Sequence, residues 1–231
     1  MEMQEKIKVA ILDDHQSMLD GYALRLSQHA DIELVGTANF ADQLTELLDR
    51  QDIHVLIMDV SVPASEEARE TFPILHTIPQ LIDSYPGLSI LVVSMHKHGT
   101  LINALMEAGA KGYVLKDDRQ SIMKLGDVVR TVAGGGVYFS DDAYALVKAE
   151  GRRAADQAIL TRRQLEALSL SAASPGMKSV ELANRLNIAP STLRTLLSDA
   201  YKRLRVNKLA TAVAKARQLG LISPFSPEID E

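Results

Sequence analysis

Five short apolar runs, separated by stretches of helical periodicity, dominate the first 133 residues of the chain. Between the runs, leucine, isoleucine and valine recur every three or four positions, as they do in amphipathic helices. Uninterrupted apolar runs alternating with helices predict a parallel sheet covered on both faces. Because parallel crossovers are right-handed, we expect a doubly wound, flavodoxin-like α/β fold with five parallel strands. The predicted strands are residues 7–12, 32–36, 54–58, 89–93 and 112–115.

The charge is divided unevenly along the chain, which predicts two domains. Residues 1–150 hold 12 Lys/Arg and 23 Asp/Glu, whereas the remainder holds 13 Lys/Arg and 7 Asp/Glu. A basic second part favours a polyanionic partner. Gly134-Gly135-Gly136 follows the fifth helical stretch and indicates a helix end rather than a phosphate-binding loop. We therefore predict a domain over 1–136, a linker over 137–159, a small all-α domain over 160–222 and a mobile tail over 223–231.

The composition excludes several classes of protein. There is no cysteine in 231 residues, so disulfides and thiolate metal sites are excluded. No apolar run approaches the ~20 residues that a transmembrane helix needs, and no signal-peptide pattern opens the chain. The expectation is a cytoplasmic protein with no membrane association.

Acidic residues and one lysine follow three of the predicted strands. Asp13 and Asp14 follow the first, Asp59 the third, and Lys116 the fifth. In an open α/β sheet the ligand crevice lies at the carboxyl edge, so these side chains should converge there. Two like charges ~4 Å apart cost roughly 4 kcal/mol near a protein surface. Mg²⁺ would relieve that repulsion, because it is a hard cation that takes oxygen ligands together with phosphate.

The same pattern predicts phosphoryl-accepting chemistry. Asp59 is the candidate nucleophile, since a carboxylate can form an acyl phosphate. Asp13, Asp14, Asp59 and the backbone carbonyl of Ser61 are the candidate Mg²⁺ ligands. Lys116 and the Ser94 hydroxyl could pair with phosphoryl oxygens, and Tyr113 could move inward when Ser94 is drawn toward the phosphate. No general base is evident, so we predict a switch rather than an enzyme that turns over an external substrate.

Residues 6–133 resemble the receiver domain of a response regulator. The resemblance is carried by Asp13-Asp14-His15, by Asp59 with Pro63, by Ser94, and by the segment from Lys111 to Asp117. Residues 160–222 resemble a LuxR-type helix-turn-helix domain, through Leu160-Thr161, Glu181-Leu182-Ala183, Thr192-Leu193-Arg194 and Leu219-Gly220-Leu221-Ile222. Together they are similar to the NarL/FixJ family. The resemblance implies phosphotransfer from a histidine kinase to Asp59, formation of a homodimer, and binding to double-stranded promoter DNA.

The presumed recognition helix spans about 191–205, and this helix with Lys208 just beyond it supplies the predicted DNA contacts. We expect Thr192, Leu193, Arg194 and Ser198 nearest the major groove, and the others on phosphates. The stripe at 209, 212, 213 and 216 predicts that the last helix pairs two copies. The predicted contacts are Thr192, Leu193, Arg194, Ser198, Lys202, Arg203, Arg205 and Lys208.

Departures from the family pattern leave alternatives open. An acidic segment at 64–72 replaces the usual Gly-rich turn, and it could be a lid or a solvated insertion. Asp199 and Leu196 are unusual on a recognition helix. His96 and His98 could bind a metal, but a role in adjusting the surface that changes on phosphorylation is favoured, because no third ligand is obvious. One alternative is a phosphorylation-independent regulator that uses the receiver as a dimerisation or partner-binding module. A phosphatase is another, although Ser61 stands where such enzymes carry a second acid.

Overall fold

A computed structural model describes residues 5–49, 52–67, 72–157, 159–174 and 176–222, and it contains a six-stranded parallel sheet in the order β2-β1-β3-β4-β5-β6. The first five strands lie where the apolar runs predict them. The prediction of five strands was short by one, because a two-residue strand pairs with the far side of β5. The strands are β1 (Ile7–Leu12), β2 (Ile32–Ala38), β3 (Val55–Met58), β4 (Ser89–Ser94), β5 (Gly112–Leu115) and β6 (Tyr138–Phe139).

Helices cover both faces of the sheet, as the continuous apolar strands require. On one face, Val9 and Ile11 pack with residues of α1 and α6. On the other, Ala10 and Leu12 pack with residues of α2, α3 and α4. The helices of this domain are α1 (Gln16–Leu26), α2 (Leu44–Asp49), α3 (Ile74–Ser84), α4 (Gly99–Glu107), α5 (Arg119–Met123) and α6 (Leu125–Ala133), with a 3₁₀ turn at Ala41–Gln43. The glycine triplet ends α6 as predicted, with Gly135 at φ 81°.

The segment predicted as a linker, 137–159, is largely regular structure. After β6 it forms α7 (Asp141–Gln157), which packs against α4. Ser140, the residue before α7, is buried, and its hydroxyl oxygen accepts a hydrogen bond from the Leu115 N–H at 3.1 Å. Thr100 Oγ1 donates to Glu150 Oε1 at 2.8 Å, which ties α7 to the start of α4. The connection is therefore docked on the first domain.

Within its described residues, the second domain contains four helices: α8 (Arg162–Ala173), α9 (Ser179–Arg185), α10 (Pro190–Leu204) and α11 (Leu209–Gln218). Thr161 caps α8, since its side chain accepts a hydrogen bond from the Gln164 N–H in a capping box. Pro190 occupies the first turn of α10, where its missing N–H costs nothing. The helix ends at Arg205, which adopts φ 56°. The tail 223–231, predicted to be mobile, lies outside the described residues.

The two domains touch through α3 and α8. His76 Nδ1 of α3 lies 3.9 Å from Glu166 Oε1 of α8, and both side chains are largely buried. Beyond α11, Gly220 adopts φ +64° and lies so close to the His98 ring that a Cβ atom there would overlap it. The contact therefore uses α8 and the residues just after α11, not the exposed side of α10.

Candidate phosphoacceptor site

Strand pairing brings Asp13, Asp59 and Lys116 to one point on the carboxyl edge of the sheet. Each of the three residues directly follows a strand, and its own backbone N–H continues the ladder to the neighbouring strand. The N–H of Asp13 donates to Ala38 O (3.1 Å), that of Asp59 to Leu12 O (2.9 Å), and that of Lys116 to Ser94 O (2.9 Å). These bonds fix the positions of the three side chains relative to the sheet.

The Lys116 ammonium lies between two carboxylates. Nζ is 2.7 Å from Asp13 Oδ2 and 2.8 Å from Asp59 Oδ2, and the exposed fractions of the three side chains are 7%, 2% and 4%. The second Asp59 oxygen, Oδ1, accepts the Val60 N–H at 2.6 Å. The sequence prediction that these strand ends converge is confirmed by this geometry. Two buried negative charges therefore share one buried positive charge.

Burial and charge act in opposite directions on the two titrating partners. Burial raises the pKa of Asp13, although Lys116 beside it and the His15 N–H act to lower it. Burial alone would lower the pKa of Lys116, but Asp59 and Asp13 outweigh it and the pKa is raised. Lys116 therefore stays protonated, whereas ionisation of the buried Asp13 carboxylate costs free energy. A site with an unneutralised carboxylate favours a further cation.

Four side chains could supply ligands to such a cation. One ligand atom from each of Asp13, Asp14, His15 and Asp59 lies within 4.8 Å of the other three. His15 was not predicted in this role, although its position beside the acidic pair was a signal. Its Nδ1 lies 2.7 Å from Asp14 Oδ1. Carboxylate oxygens fit Mg²⁺, which is hard and prefers oxygen.

Ser94 and Tyr113 lie beside the acidic cluster and are linked through His96. Ser94 is fully buried, and its Oγ accepts from the His96 N–H at 3.4 Å. The Tyr113 hydroxyl donates to the His96 carbonyl at 2.8 Å. Tyr113 was predicted to move inward on activation, but in this structure its ring is already buried. Burial raises its pKa, with smaller effects from Ser94 and Asp59.

Tyr22 of α1 also lies near the site, a position that its sequence pattern did not predict. Its side chain is 1% exposed, and its hydroxyl has no hydrogen-bond partner among the described residues. Burial, with contributions from the Asp13 and Asp59 charges, raises its pKa. An aromatic ring in an apolar stripe reads as core, so no sequence signal marked this residue as a neighbour of the site.

The described part of the acidic segment 64–72 is anchored at its start. The carbonyls of Pro63 and Ala64 accept from the N–H groups of Ala41 and Asp42 at 3.1 and 2.9 Å. Glu66 and Glu67 are exposed. Residues 68–71 lie outside the described residues, so the hypothesis of a lid remains a prediction.

The second domain presents most of the predicted DNA contacts to solvent. Thr192, Arg194, Ser198, Lys202, Arg203, Arg205 and Lys208 are exposed. Leu193 is the exception and corrects the prediction, because its side chain is 0% exposed and packs among Leu170, Leu182 and Leu186. Lys202 Nζ lies 3.1 Å from Asp199 Oδ1, which offsets the unusual negative charge on α10.

The apolar stripe of α11 that was predicted to pair two copies (209, 212, 213 and 216) is only partly exposed. Ala212 and Ala216 are fully buried within the chain, Val213 is half-buried, and Leu209 is 37% exposed. The two alanines therefore contribute to the fold of this domain rather than to contact with a second copy. A pairing surface on α11 would use Leu209 and Val213.

Comparison with known proteins agrees with this geometry. Residues 9–125 match the family model of the response regulator receiver domain. The chain is 30% identical over 226 residues to the transcriptional regulatory protein MctR of Rhizobium johnstonii, with 96% of this chain and 99% of that protein aligned. The chain is a response regulator of the NarL/FixJ family.

Other response regulators match over both domains. The transcriptional regulatory protein DegU of Brevibacillus brevis is 25% identical, with 95% of this chain and 96% of that protein covered. RcsB from Salmonella enterica serovar Typhimurium, bound to promoter P1flhDC in the presence of phosphomimetic BeF3⁻, superposes with a TM-score of 0.60 at 25% identity, covering 91% and 98% of the two chains. The response regulator is accordingly a two-component regulator of transcription. None of its described helices is long and apolar enough to span a membrane.

Proposed function

We propose that Asp59 accepts a phosphoryl group from a histidine kinase, and that the modified protein dimerises and binds promoter DNA through α10. The observation that carries the proposal is the buried Asp13–Lys116–Asp59 arrangement at the carboxyl edge of the sheet. Such a site presents a nucleophile, a fixed cation and further oxygen ligands within a few ångströms. Phosphoryl transfer needs these groups, because its catalysis consists mainly of positioning the reactants and stabilising charge.

In the transfer step an Asp59 carboxylate oxygen attacks phosphorus, the P–N bond to the kinase histidine breaks, and the histidine departs with the bonding electrons. Mg²⁺, when bound by Asp13, Asp14, Asp59 and the Ser61 carbonyl, would neutralise charge on the phosphoryl oxygens. Lys116 exchanges its contact with Asp59 for one with a phosphoryl oxygen. The Ser94 hydroxyl donates to another of those oxygens.

The added charge is the switch. An aspartyl phosphate brings one to two extra negative charges to this edge, so Ser94 and Lys116 rearrange around it. Turning a 1:99 equilibrium into 99:1 requires about 5.5 kcal/mol of differential stabilisation. A charge-assisted bond from Lys116 and the Ser94 bond would contribute part of this, and contacts between two copies the rest. A dimer would place two α10 helices ~34–36 Å apart in successive major grooves.

DNA binding is supported by the exposed basic residues of α10 and its C-terminal end. Thr192, Arg194 and Ser198 would lie nearest the base edges, and Lys202, Arg203, Arg205 and Lys208 would contact phosphates. RcsB, which resembles this chain over both domains, was solved on a promoter.

The test uses acetyl phosphate with Mg²⁺ as phosphodonor. Wild-type protein should shift on a phosphate-affinity gel, gain mass in light scattering as dimers form, and bind a selected DNA more tightly in fluorescence anisotropy. Asp59→Asn should show none of these changes. Phosphate that persists on the Asn variant would refute the assignment of Asp59, and a dimer that ignores the donor would favour the phosphorylation-independent alternative.

A further inference from the structure

The Tyr22 hydroxyl is a buried polar group near the phosphoacceptor to which the proposed function gives no role. Tyr22 lies in the second turn of α1, the helix that follows Asp13 and Asp14, and the residue is buried. Among the described residues its hydroxyl has no hydrogen-bond partner. A buried hydroxyl without a partner costs free energy, and a phenylalanine would fill the same space without that cost. The hydroxyl is therefore unfavourable in the state that the structure shows.

The Tyr22 ring is held in the core, so its hydroxyl has no route to solvent. It belongs to the apolar layer between the sheet and the helices α1 and α6, together with Ile11 of β1 and with Leu125 and Val129 of α6. Because protein interiors are close-packed, the ring has little freedom to leave this layer. A partner for the hydroxyl must therefore come from inside the protein.

The hydroxyl lies within range of the charges of the acidic cluster. Burial raises the pKa of Tyr22, and the negative charges of Asp13 and Asp59 raise it further. The phenol therefore keeps its proton at neutral pH and remains a hydrogen-bond donor. An ionised carboxylate only accepts hydrogen bonds, so this donor complements the two buried carboxylates.

In the structure every oxygen of these two carboxylates already has a donor. Asp13 Oδ1 accepts the His15 N–H at 3.0 Å, and Asp13 Oδ2 lies 2.7 Å from the Lys116 ammonium. The Asp59 oxygens accept from the Val60 N–H and from Lys116. The proposed function moves Lys116 to a phosphoryl oxygen, and a bound divalent cation repels the ammonium. Asp13 Oδ2 then becomes a buried acceptor that has lost its donor.

We propose that the Tyr22 hydroxyl then donates to Asp13 and positions this carboxylate as a metal ligand. The inference rests on the Mg²⁺ site of the proposed function. Carboxylates that bind a metal are themselves held by hydrogen bonds, which orient the ligating oxygen. Tyr22 is a positioning residue, because it acts through Asp13 and touches neither the metal nor the phosphoryl group. Without the metal the hydroxyl has no partner, because Lys116 holds the oxygen that it would contact.

The first experiment measures the metal affinity of the full chain carrying Tyr22→Phe, which removes only the hydroxyl oxygen. The probe is Mn²⁺, which takes oxygen ligands as Mg²⁺ does and whose free ion is counted by electron paramagnetic resonance. Tyr22→Phe should bind Mn²⁺ about tenfold more weakly than wild type, the low end of the effect of removing a group that supports a metal ligand. Tyr144→Phe is the matched control: it makes the same change in an exposed tyrosine of α7, and its affinity should equal that of wild type.

The second experiment needs no metal, and it separates a hydrogen bond from packing of the ring. In chelator, Tyr22→Phe should leave the urea midpoint of the otherwise wild-type chain unchanged or higher, because the hydroxyl that it removes is unpaired. In a Lys116→Met background Asp13 Oδ2 is free to accept the hydroxyl, so Tyr22→Phe should lower the midpoint. A role of the ring alone would give the same change in both backgrounds.

Two results would overturn the inference. One is a Mn²⁺ affinity of Tyr22→Phe within about twofold of wild type; the other is the same midpoint change in both backgrounds. Where Lys116→Met is too unstable to titrate with urea, the Mn²⁺ affinity alone decides. A wild-type chain that binds no Mn²⁺ would remove the metal site and this inference together. Labelling of Asp59 by acetyl phosphate is scored separately, so failure of the Tyr22 prediction leaves the proposed phosphoacceptor intact.

Discussion

Replacing Lys116 by Met tests the electrostatic core of the site. The substitution keeps a long apolar stem and removes only the ammonium, which contacts Asp13 Oδ2 at 2.7 Å and Asp59 Oδ2 at 2.8 Å. At an effective dielectric constant of ~20, each contact contributes roughly 6 kcal/mol of attraction, and the cost of burying the charges offsets much of it. The variant leaves two nearly buried carboxylates facing one another without a cation.

We expect Lys116→Met to lower the free energy of unfolding of the receiver by about 3–5 kcal/mol when Mg²⁺ is chelated, because breaking a buried ion pair leaves uncompensated charge. Urea unfolding followed by circular dichroism at neutral pH measures this difference. In excess Mg²⁺ the loss of unfolding free energy should be smaller. A cation that binds only the folded site stabilises it by mass action and neutralises part of the carboxylate charge.

Lys97→Met is the matched control. Lys97 pairs with Asp117, but the two side chains are 49% and 42% exposed, so the loss of stability should be much smaller than that of Lys116→Met. A deficit below ~1 kcal/mol for Lys116→Met in chelator would show that the two carboxylates do not depend on the ammonium. An equal loss of unfolding free energy with and without Mg²⁺ would refute the view that Mg²⁺ and the Lys116 ammonium neutralise the same carboxylates.

Four further substitutions test other parts of the structure. Burial raises the pKa of Asp13 above 3.8, so ionisation of Asp13 lowers the stability of the fold as the pH rises from 3.8 through the folded pKa. Asp13→Asn should therefore have a higher free energy of unfolding than wild type in urea at neutral pH without Mg²⁺, by ~1.4 kcal/mol for each unit by which the pKa is raised. In acid, where wild-type Asp13 is protonated, the difference should disappear. Gly99→Ala would place a Cβ 2.6 Å from the Leu146 carbonyl oxygen, and displacing α7 should cost ~1–3 kcal/mol in urea unfolding. Leu193→Ala should cost ~2–5 kcal/mol of unfolding free energy, whereas Thr192→Ala, exposed beside it, should stay within ~0.5 kcal/mol and weaken DNA binding in anisotropy.

The strand ends were predictable because parallel strands have a strong signal and their carboxyl ends must share one edge. The positions of Asp13, Asp59 and Lys116 followed from that rule alone. The cap at Thr161 and the proline at the start of α10 were equally local. Features of this kind depend on residues close in sequence, so the sequence determines them before any packing is known.

Other features depended on tertiary contacts and were missed. β6 is two residues long, too short for any periodicity, and it exists because it pairs with β5. The length of α7 was not predicted, because the helix has a weak apolar stripe and is held by docking on α4. Leu193 was assigned by its place in a motif, although its spacing from Leu197, Ala200 and Leu204 is that of one helix face and indicates the core. The hydrogen bond between His96 Nε2 and the Ser61 hydroxyl joins residues 35 positions apart, and nothing in either loop signals it.

The pairing of β6 with β5 affects how this protein can be divided for experiments. Tyr138 N–H donates to the Lys111 carbonyl and Ser140 N–H to the Tyr113 carbonyl, while Ser140 Oγ receives the Leu115 N–H. A fragment cut after Gly136 would strip these partners from β5 and leave an open, apolar strand edge, which is a template for association between molecules. Self-association of such a fragment would then reflect the cut and not the signalling state. A receiver fragment that retains residues through α7 keeps that edge closed.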